Sequence, residues 1–245
     1  MNILIATPCY GGMIHVQCAQ SIMELRILFS SKNIRHEWLP IMGESLIPRA
    51  RNASIAYFLC KDFTHILFVD SDIVFDPVSV LRLVDKDVPI SACVYPYKDI
   101  NIDNIVNKAR STSIDTTAIL LSSMSYVMNT DDSVLDDGWL KVSEVGTGFL
   151  LIRKDLISKL IDLHPSLKYK NDCPYYDRLH QSMNDNFYLF FDTRVVDDRY
   201  LSEDYSFCHY VTDAGYDIYV DTTSGINHIG TYTYRGNLYM SMLYK

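Results

Sequence analysis

The stretch that most constrains the fold is an apolar run that ends in two aspartates. Residues 66–69 (Ile-Leu-Phe-Val) carry no polar side chain, and Asp70, Ser71 and Asp72 follow at once. Such a run predicts a strand buried on both faces, as in a parallel α/β sheet. Because open α/β sheets bind ligands at the carboxyl ends of their strands, we expect both carboxylates at a binding edge. They repel each other unless positive charge lies between them, and a divalent cation carrying a phosphorylated ligand would supply that charge.

The flanking sequence predicts the α/β class, with a mostly parallel central sheet flanked by helices in a single domain. Apolar periodicity and turn residues indicate strands at 3–6, 35–39, 66–69 and 89–95, alternating with helices at 15–30, 48–59 and 78–84. The pattern weakens between 99 and 137, where we predict a strand at 117–121, and the aromatic-rich segment 186–191 is also predicted as strand-like.

Composition excludes several classes of function. The chain of 245 residues has a net charge of -8, which argues against binding nucleic acid through phosphate neutralisation. Its six cysteines form no CxxC pair, which favours reduced thiols in a cytosol over a disulfide framework or a zinc site. No signal peptide is evident, and no segment approaches the roughly 20 apolar residues of a membrane span. We therefore expect a cytoplasmic protein with no membrane span and no nucleic-acid partner.

The Asp-Ser-Asp motif admits two enzymatic interpretations and a structural one. An apolar strand that ends in DxD is typical of metal-dependent transferases that use sugar nucleotides. The pattern DxDx[TV] is also the nucleophile strand of haloacid dehalogenase-like phosphatases, with Asp70 as nucleophile, and residues 70–74 match it literally. A bare DxD is common, and an acidic pair also caps strands and turns. The order of elements favours a transferase, because such phosphatases usually place the motif on their first strand.

Several short motifs resemble, in their order and spacing, those of glycosyltransferases of the GT-A type. None is specific alone. They are Thr-Pro-Cys-Tyr (7–10), Pro-Arg-Ala-Arg-Asn (48–52), Asp-Ser-Asp (70–72), Tyr-Pro-Tyr-Lys (95–98), Val-Gly-Thr-Gly-Phe (145–149), Ser-Glu-Asp (202–204) and Asn-His-Ile-Gly (227–230). The resemblance implies one GT-A-like domain over 1–245, with a nucleotide-sugar-binding half at 1–98 and an acceptor-side half at 99–245.

The resemblance also implies a metal site. In such enzymes the DxD carboxylates hold Mn²⁺ or Mg²⁺, which bridges the two phosphates of the donor, and a late histidine completes the site. Here the implied metal ligands are Asp70, Asp72 and His228, with Asp70 also facing the ribose. Imidazole suits Mn²⁺ better than Mg²⁺, which prefers oxygen ligands. A lone histidine is more often structural, so the assignment of His228 depends on the resemblance.

A nucleotide-sugar-binding set follows from residue chemistry and the resemblance together. Arg49 and Arg51 lie near the start of a helix, where guanidinium groups and free backbone N–H groups bind phosphate. The resemblance places Arg51 and Asn52 beside the nucleotide or diphosphate. The complete predicted set is Thr7, Pro8, Tyr10, Arg49, Arg51, Asn52, Asp70, Ser71, Lys98, Gly146, Thr147 and Gly148.

The predicted catalytic residues are Asp204 and, second to it, Glu203. They begin a helix at the position where inverting members of the family carry a base, which must lie within hydrogen-bond reach of the acceptor hydroxyl. Acidic residues in a first helical turn also simply complement the helix dipole. The implied reaction moves a sugar from a UDP- or GDP-sugar to a hydroxyl of a glycan, protein or lipid-linked acceptor. Of these acceptors, we expect a glycan or glycoprotein. The phosphatase and a non-catalytic nucleotide-sugar- or carbohydrate-binding module remain as alternatives.

Overall fold

The computed structural model describes residues 1–111, 115–130, 135–231 and 242. Its strands are β1 (Asn2–Cys9), β2 (Arg35–Met42), β3 (His65–Val69), β4 (Ile73–Phe75), β5 (Ile90–Cys93), β6 (Met128–Asn129), β7 (Leu135–Asp136), β8 (Trp139–Val142), β9 (Glu144–Val145), β10 (Phe149–Arg153), β11 (Arg194–Val196), β12 (Arg199–Leu201), β13 (Ile218–Asp221) and β14 (Ile226–His228). Its α-helices are α1 (Val16–Ser31), α2 (Ile47–Leu59), α3 (Pro77–Asp85), α4 (Ile102–Ser111), α5 (Thr116–Ser122), α6 (Lys154–Leu163), α7 (Pro174–Asp177) and α8 (Glu203–Asp213).

Among the described residues, eight strands form one central sheet in the order β2-β1-β3-β10-β5-β13-β8-β7. β1 pairs in parallel with β2 and β3, and β5 pairs in parallel with β13. β10 is antiparallel to β3 and β5, and β8 is antiparallel to β13 and β7. All strands of this sheet except β10 and β8 therefore run in one direction. The predicted α/β class, with a mostly parallel sheet flanked by helices, is confirmed.

The apolar run that forms β3 is buried on both faces, as its sequence predicts. Ile66 and Phe68 belong to a hydrophobic cluster with side chains of α2, α6 and α8. Leu67 and Val69 point the other way, into a second cluster with α1 and α3. Each of these four side chains is fully buried, which is worth about 1.5–3 kcal/mol per side chain. The centre of the sheet thus holds the carboxyl end of β3 in a fixed position.

The prediction of a strand at 117–121 is wrong, because these residues lie in α5. The Asp115 carboxylate accepts hydrogen bonds from the backbone N–H groups of Thr117 and Ala118, which makes Asp115 the N-cap of that helix. A capping aspartate satisfies donors that a helix start leaves unpaired, so it favours a helix over a strand.

The prediction of a strand at 186–191 is also wrong. Apart from an isolated bridge between Lys168 and Tyr188, this segment is irregular. The side chains of Phe187, Phe190 and Phe191 are fully buried in the cluster that includes α2 and α8. The aromatic pattern therefore indicates burial and not sheet pairing.

No helix in the described part of the chain combines the length and the apolar character that a membrane crossing requires.

Candidate functional site

The Asp-Ser-Asp turn leaves the carboxyl end of β3 and enters β4 directly, and its backbone is held from several sides. The Asp70 N–H donates to the carbonyl of Gly148 (2.9 Å), which extends the contact between β3 and β10. The His15 N–H donates to the Ser71 carbonyl (2.9 Å), and the Ile73 N–H donates to the Asp70 carbonyl (3.1 Å). Backbone hydrogen bonds alone therefore fix the conformation of the turn.

Arg51 of α2 forms a bidentate ion pair with Asp70. Its Nη1 and Nη2 donate to Oδ1 and Oδ2 at 3.0 and 3.2 Å. Its Nε lies 3.5 Å from Asp204 Oδ1 and 3.7 Å from Glu203 Oε1. Burial lowers the pKa of this guanidinium, whose side chain is 3% exposed, but the three carboxylates raise the pKa well above its usual range. One permanent buried cation thus holds three carboxylates together.

Glu203 and Asp204 occupy the first turn of α8, which Ser202 caps by accepting a hydrogen bond from the Tyr205 N–H (3.4 Å). The Thr147 hydroxyl donates to Asp204 Oδ1, the same oxygen that Arg51 approaches. Burial and the Asp204 charge raise the pKa of Glu203, and Arg51 offsets only part of that rise. Asp204 is therefore held by a hydroxyl and a guanidinium, and the pKa of Glu203 is raised.

His228 reaches Asp72 because β14 pairs with β4 just after the turn. The pairing is antiparallel and sets His228 opposite Ile73, and the Ile229 N–H donates to the Asp72 carbonyl (2.9 Å). His228 Nδ1 lies 2.9 Å from the Pro96 carbonyl and therefore donates to it. Its Nε2 lies 3.6 Å from Asp72 Oδ1. In the neutral ring, the lone pair of Nε2 is then directed to the side of the carboxylate.

Lys98 binds the other oxygen of the same carboxylate, since its ammonium forms an ion pair with Asp72 Oδ2. Burial works to raise the pKa of Asp72, but the hydrogen bonds and positive charges of Lys98 and, when its ring is protonated, of His228 outweigh burial and lower it to about 2. Lys98 and His228 also line a cleft of about 290 Å³. Asp72 is thus ionised at neutral pH, and its side chain is 23% exposed beside two of the residues that line the cleft.

Asp72 and His228 fit two ligands of a divalent cation. A histidine that donates one ring nitrogen to a backbone carbonyl and presents the other is the usual arrangement of a metal ligand. Within the described residues, no group of three or more His, Cys, Asp or Glu side chains is placed to hold a metal ion. Cation sites for nucleotides need fewer, since one or two side chains, phosphates and water complete the coordination. Both oxygens of Asp70 accept from Arg51, so its role as a metal ligand stays a prediction.

Gly146 and Gly148 make room for Tyr95, a residue of the Tyr-Pro-Tyr-Lys motif whose place in the site was not predicted. A Cβ atom on Gly146 would lie 2.2 Å from the Tyr95 hydroxyl oxygen, and one on Gly148 would lie 2.7 Å from it. That hydroxyl accepts a hydrogen bond from the Gly148 N–H (3.0 Å), and the Tyr95 ring packs edge-on against His228. The Gly-x-Gly pattern is the signal that marks such a close approach. Contact between these glycines and a sugar stays a prediction.

The structure does not bring Arg49 into the Arg51 cluster. Residues two apart on a helix project in different directions, and Arg49 binds Glu44 through Nε (2.6 Å) and Nη2 (2.9 Å). Glu44 is buried and also accepts from the Tyr176 hydroxyl (2.8 Å). The predicted contact of Arg49 with phosphate therefore stays a prediction.

Asn52 is likewise engaged elsewhere. Its buried side-chain amide donates to the Phe191 carbonyl (2.8 Å) and accepts from the Phe191 N–H (2.9 Å). Both polar groups of the side chain are thus used to hold the irregular segment before β11 against α2. Contact between Asn52 and a nucleotide stays a prediction.

The three residues predicted at the end of β1 have different environments. The Thr7 hydroxyl is buried and accepts from Trp38 Nε1 (3.0 Å), and Pro8 is buried at the same strand end. Tyr10, in the short turn that follows, is 62% exposed. Of the three, Tyr10 is the side chain accessible to a ligand.

Comparison with known proteins shows a shared fold. The crystal structure of A197 from STIV matches with a TM-score of 0.50 at 14% identity, over 94% of this chain and 87% of that one. The inositol-1-phosphate CTP transferase from T. maritima matches with a TM-score of 0.45 at 11% identity, over 94% of this chain and 89% of that one. The catalytic domain of Drosophila beta1,4galactosyltransferase 7 matches with a TM-score of 0.43 at 11% identity, over 100% of this chain and 79% of that one. A glycosyltransferase involved in the glycosylation of the major capsid of PBCV-1 matches with a TM-score of 0.33 at 12% identity, over 71% of this chain and 69% of that one. No family model and no curated protein matches the sequence.

The two charged clusters lie on either side of one turn and approach each other again through two tyrosines. Tyr97 precedes Lys98 and Tyr205 follows Asp204, and their hydroxyl oxygens are 3.5 Å apart. One cluster offers a carboxylate, an imidazole and an ammonium beside a cleft. The other offers an acid pair with a raised pKa at Glu203. Together they provide groups that bind a negatively charged ligand and groups that accept a proton.

Proposed function

We propose that the chain is a metal-dependent glycosyltransferase of GT-A architecture that moves a sugar from a nucleoside diphosphate donor to a hydroxyl acceptor. The observation that carries the proposal is the division of the Asp-Ser-Asp turn. Asp72 meets His228 and Lys98 on one side, and Asp70 meets Arg51 and the acid pair on the other. Glycosyl transfer needs both sides, because a diphosphate leaves while a hydroxyl loses its proton.

Each side has a defined part in this reaction. Asp72 and His228 would hold a divalent cation, which when bound neutralises charge on the leaving diphosphate. As the acceptor oxygen bonds to the sugar carbon, the bond from that carbon to the diphosphate breaks, and the diphosphate keeps the electron pair. In an inverting reaction, an acid-pair carboxylate takes the hydroxyl proton. The sequence favours Asp204 as this base with Glu203 second, but the raised pKa of Glu203 supports the reverse order, with Asp204 positioned by Thr147 and Arg51.

The position of Asp70 opposes the phosphatase alternative. A nucleophilic aspartate needs a carboxylate oxygen free to approach phosphorus. Both oxygens of Asp70 accept hydrogen bonds from the buried Arg51 guanidinium. This pairing supports a role for Asp70 in organising the site.

Release of UDP or GDP from a panel of nucleotide-sugars tests the function without a known acceptor, since water can accept the sugar. We expect Mn²⁺-dependent release, reduced by about 100-fold or more in Asp72→Ala, on the scale of losing transition-state charge stabilisation. Asp162→Ala, an exposed acid of α6, is the matched control and should keep the wild-type rate. Turnover of a phosphomonoester with an aspartyl-phosphate on Asp70 would establish the phosphatase instead. Tight donor binding without turnover would establish the binding module.

The pH dependence of the same assay tests the base. If Glu203 must be ionised, the rate falls as the pH drops through its raised pKa, so the decline begins at a higher pH than for an ordinary glutamate. Glu203→Gln should lower the rate and remove this acidic limb. If Glu203→Gln keeps the acidic limb and Asp204→Asn removes it, Asp204 is the base.

A further inference from the structure

Lys98 is built into the site by two contacts at opposite ends of its side chain. A Cβ atom on Gly230 would lie 2.9 Å from Lys98 Cδ and 3.2 Å from Cγ, so the absence of a side chain at Gly230 gives the lysine stem its place. At the other end, the ammonium pairs with Asp72 Oδ2. The side chain nevertheless keeps 40% of its exposure, which leaves the ammonium able to move.

The ammonium and a divalent cation at Asp72 would compete for the same negative charge. The Lys98 ammonium pairs with Oδ2 of Asp72, and Oδ1 of the same carboxylate lies 3.6 Å from His228 Nε2. A cation held by Asp72 and His228 would share the Asp72 carboxylate with this ammonium. Like charges within about 4–6 Å repel each other. Asp72 would therefore bind either cation more weakly when the other is present.

We propose that Lys98 is the resident counter-cation of Asp72, that a divalent cation displaces its ammonium, and that the displaced ammonium then pairs with the donor diphosphate in the adjoining cleft. This inference rests on the proposed function. The residues that line the cleft include Lys98 itself, His228, Asn227, Gly230 and the acidic Asp99, so the ammonium reaches it by rotating its own side chain. Binding of the metal ion would thereby release a phosphate-binding group next to it.

The inference predicts opposite effects of one substitution on two ligands. Lys98→Met keeps an apolar stem against Gly230 and removes the charge. Mn²⁺ alone should then bind about threefold to fivefold more tightly, the scale of a partly exposed ion pair. UDP in saturating Mn²⁺ should bind about tenfold more weakly, because a charge-assisted contact with phosphate is lost. A lysine with only a structural role would not strengthen metal binding when removed.

Both affinities are measurable without turnover. Free Mn²⁺ is followed by its electron paramagnetic resonance signal, and UDP binding is followed by calorimetry in saturating Mn²⁺. Lys98→Arg keeps a cation and should stay near wild type for Mn²⁺, and Lys159→Met, at an exposed position of α6, controls for the loss of a surface charge. Equal or weaker Mn²⁺ binding by Lys98→Met, with UDP binding by the wild type intact, overturns the inference alone. Absence of Mn²⁺ and UDP binding in the wild type overturns the proposed function and the inference together.

Discussion

Replacing Arg51 with Met tests whether one guanidinium holds the acid cluster together. Methionine occupies much of the same volume but carries no charge, so Asp70, Glu203 and Asp204 would face one another without their shared cation. The Arg51 side chain is 3% exposed, and the three carboxylates keep 16% to 30% of their exposure. Water therefore relieves part of the repulsion in the variant but not all of it.

The expected loss follows from these exposures. Removing one partner of a fully buried ion pair typically costs about 3–5 kcal/mol, and the partial exposure of the carboxylates places Arg51→Met near about 3 kcal/mol. A domain has about 5–15 kcal/mol of total stability, so the variant should fold but with much less margin. For a chain of this size, about 2–4 °C per kcal/mol gives a fall in Tm of about 6–12 °C.

The pH dependence of that loss identifies its cause. Without Arg51, mutual repulsion raises the folded-state pKa values of the carboxylates, so the folded variant binds protons more readily than the unfolded chain. Its stability should therefore rise as the pH falls from 7 towards 5, and its deficit relative to wild type should shrink. A deficit produced by lost packing alone would not change with pH.

Urea unfolding followed by circular dichroism at pH 7 and at pH 5 measures both effects. Arg35→Met is the matched control, since Arg35 and Asp62 form a surface pair with side chains 68% and 72% exposed, and its loss should stay within about 0.5 kcal/mol. A loss below about 1 kcal/mol for Arg51→Met, or a loss of equal size at both pH values, would refute the electrostatic account of the cluster.

Three further substitutions test individual contacts by the same unfolding measurement. Asn52→Ala leaves the buried backbone N–H and carbonyl of Phe191 unpaired and should cost about 2–3 kcal/mol; a loss within error would contradict that role. Gly146→Ala places a Cβ against Tyr95 and should cost about 1–3 kcal/mol, partly recovered with Tyr95→Phe if the hydroxyl causes the clash. The lowered pKa of Asp72 stabilises the fold above pH 3.8, a contribution lost as the pH falls towards 2; acid unfolding of Asp72→Asn should lack that loss.

The centre of the fold was predictable because its signals are local. The apolar run at 66–69 specifies a strand buried on both faces wherever it pairs. Asp76 before Pro77 marks the start of a helix, and in the structure the Asp76 carboxylate accepts from the Val78 N–H (2.9 Å). The position of Asp70 and Asp72 at the carboxyl end of β3 follows from these elements alone.

The partners of the site residues were not predictable, because the reason for each pairing is distant in sequence. Arg49 and Arg51 have the same charge and lie on the same helix. Only the packing of α2, which is buried on nearly every side from Ala50 to Phe58, decides that Arg51 enters the protein and Arg49 meets Glu44. The same packing turns Asn52 towards the backbone of an irregular segment. Basic and polar residues at a helix start thus indicate that a charged site is near. They do not show which of their side chains enters it.

The two aspartates of the turn differ in the kind of cation that each one binds. The partner of Asp70 is a guanidinium that is 3% exposed and shared with two further carboxylates, so its removal leaves buried charge uncompensated. The partner of Asp72 is the Lys98 ammonium, whose side chain is 40% exposed and which pairs, among the described residues, with this carboxylate alone. Its displacement by another cation would therefore leave less uncompensated buried charge. In the proposed reaction, Arg51 would supply a fixed positive charge and Lys98 an exchangeable one. The aspartates that hold these two cations are two residues apart in the Asp-Ser-Asp turn.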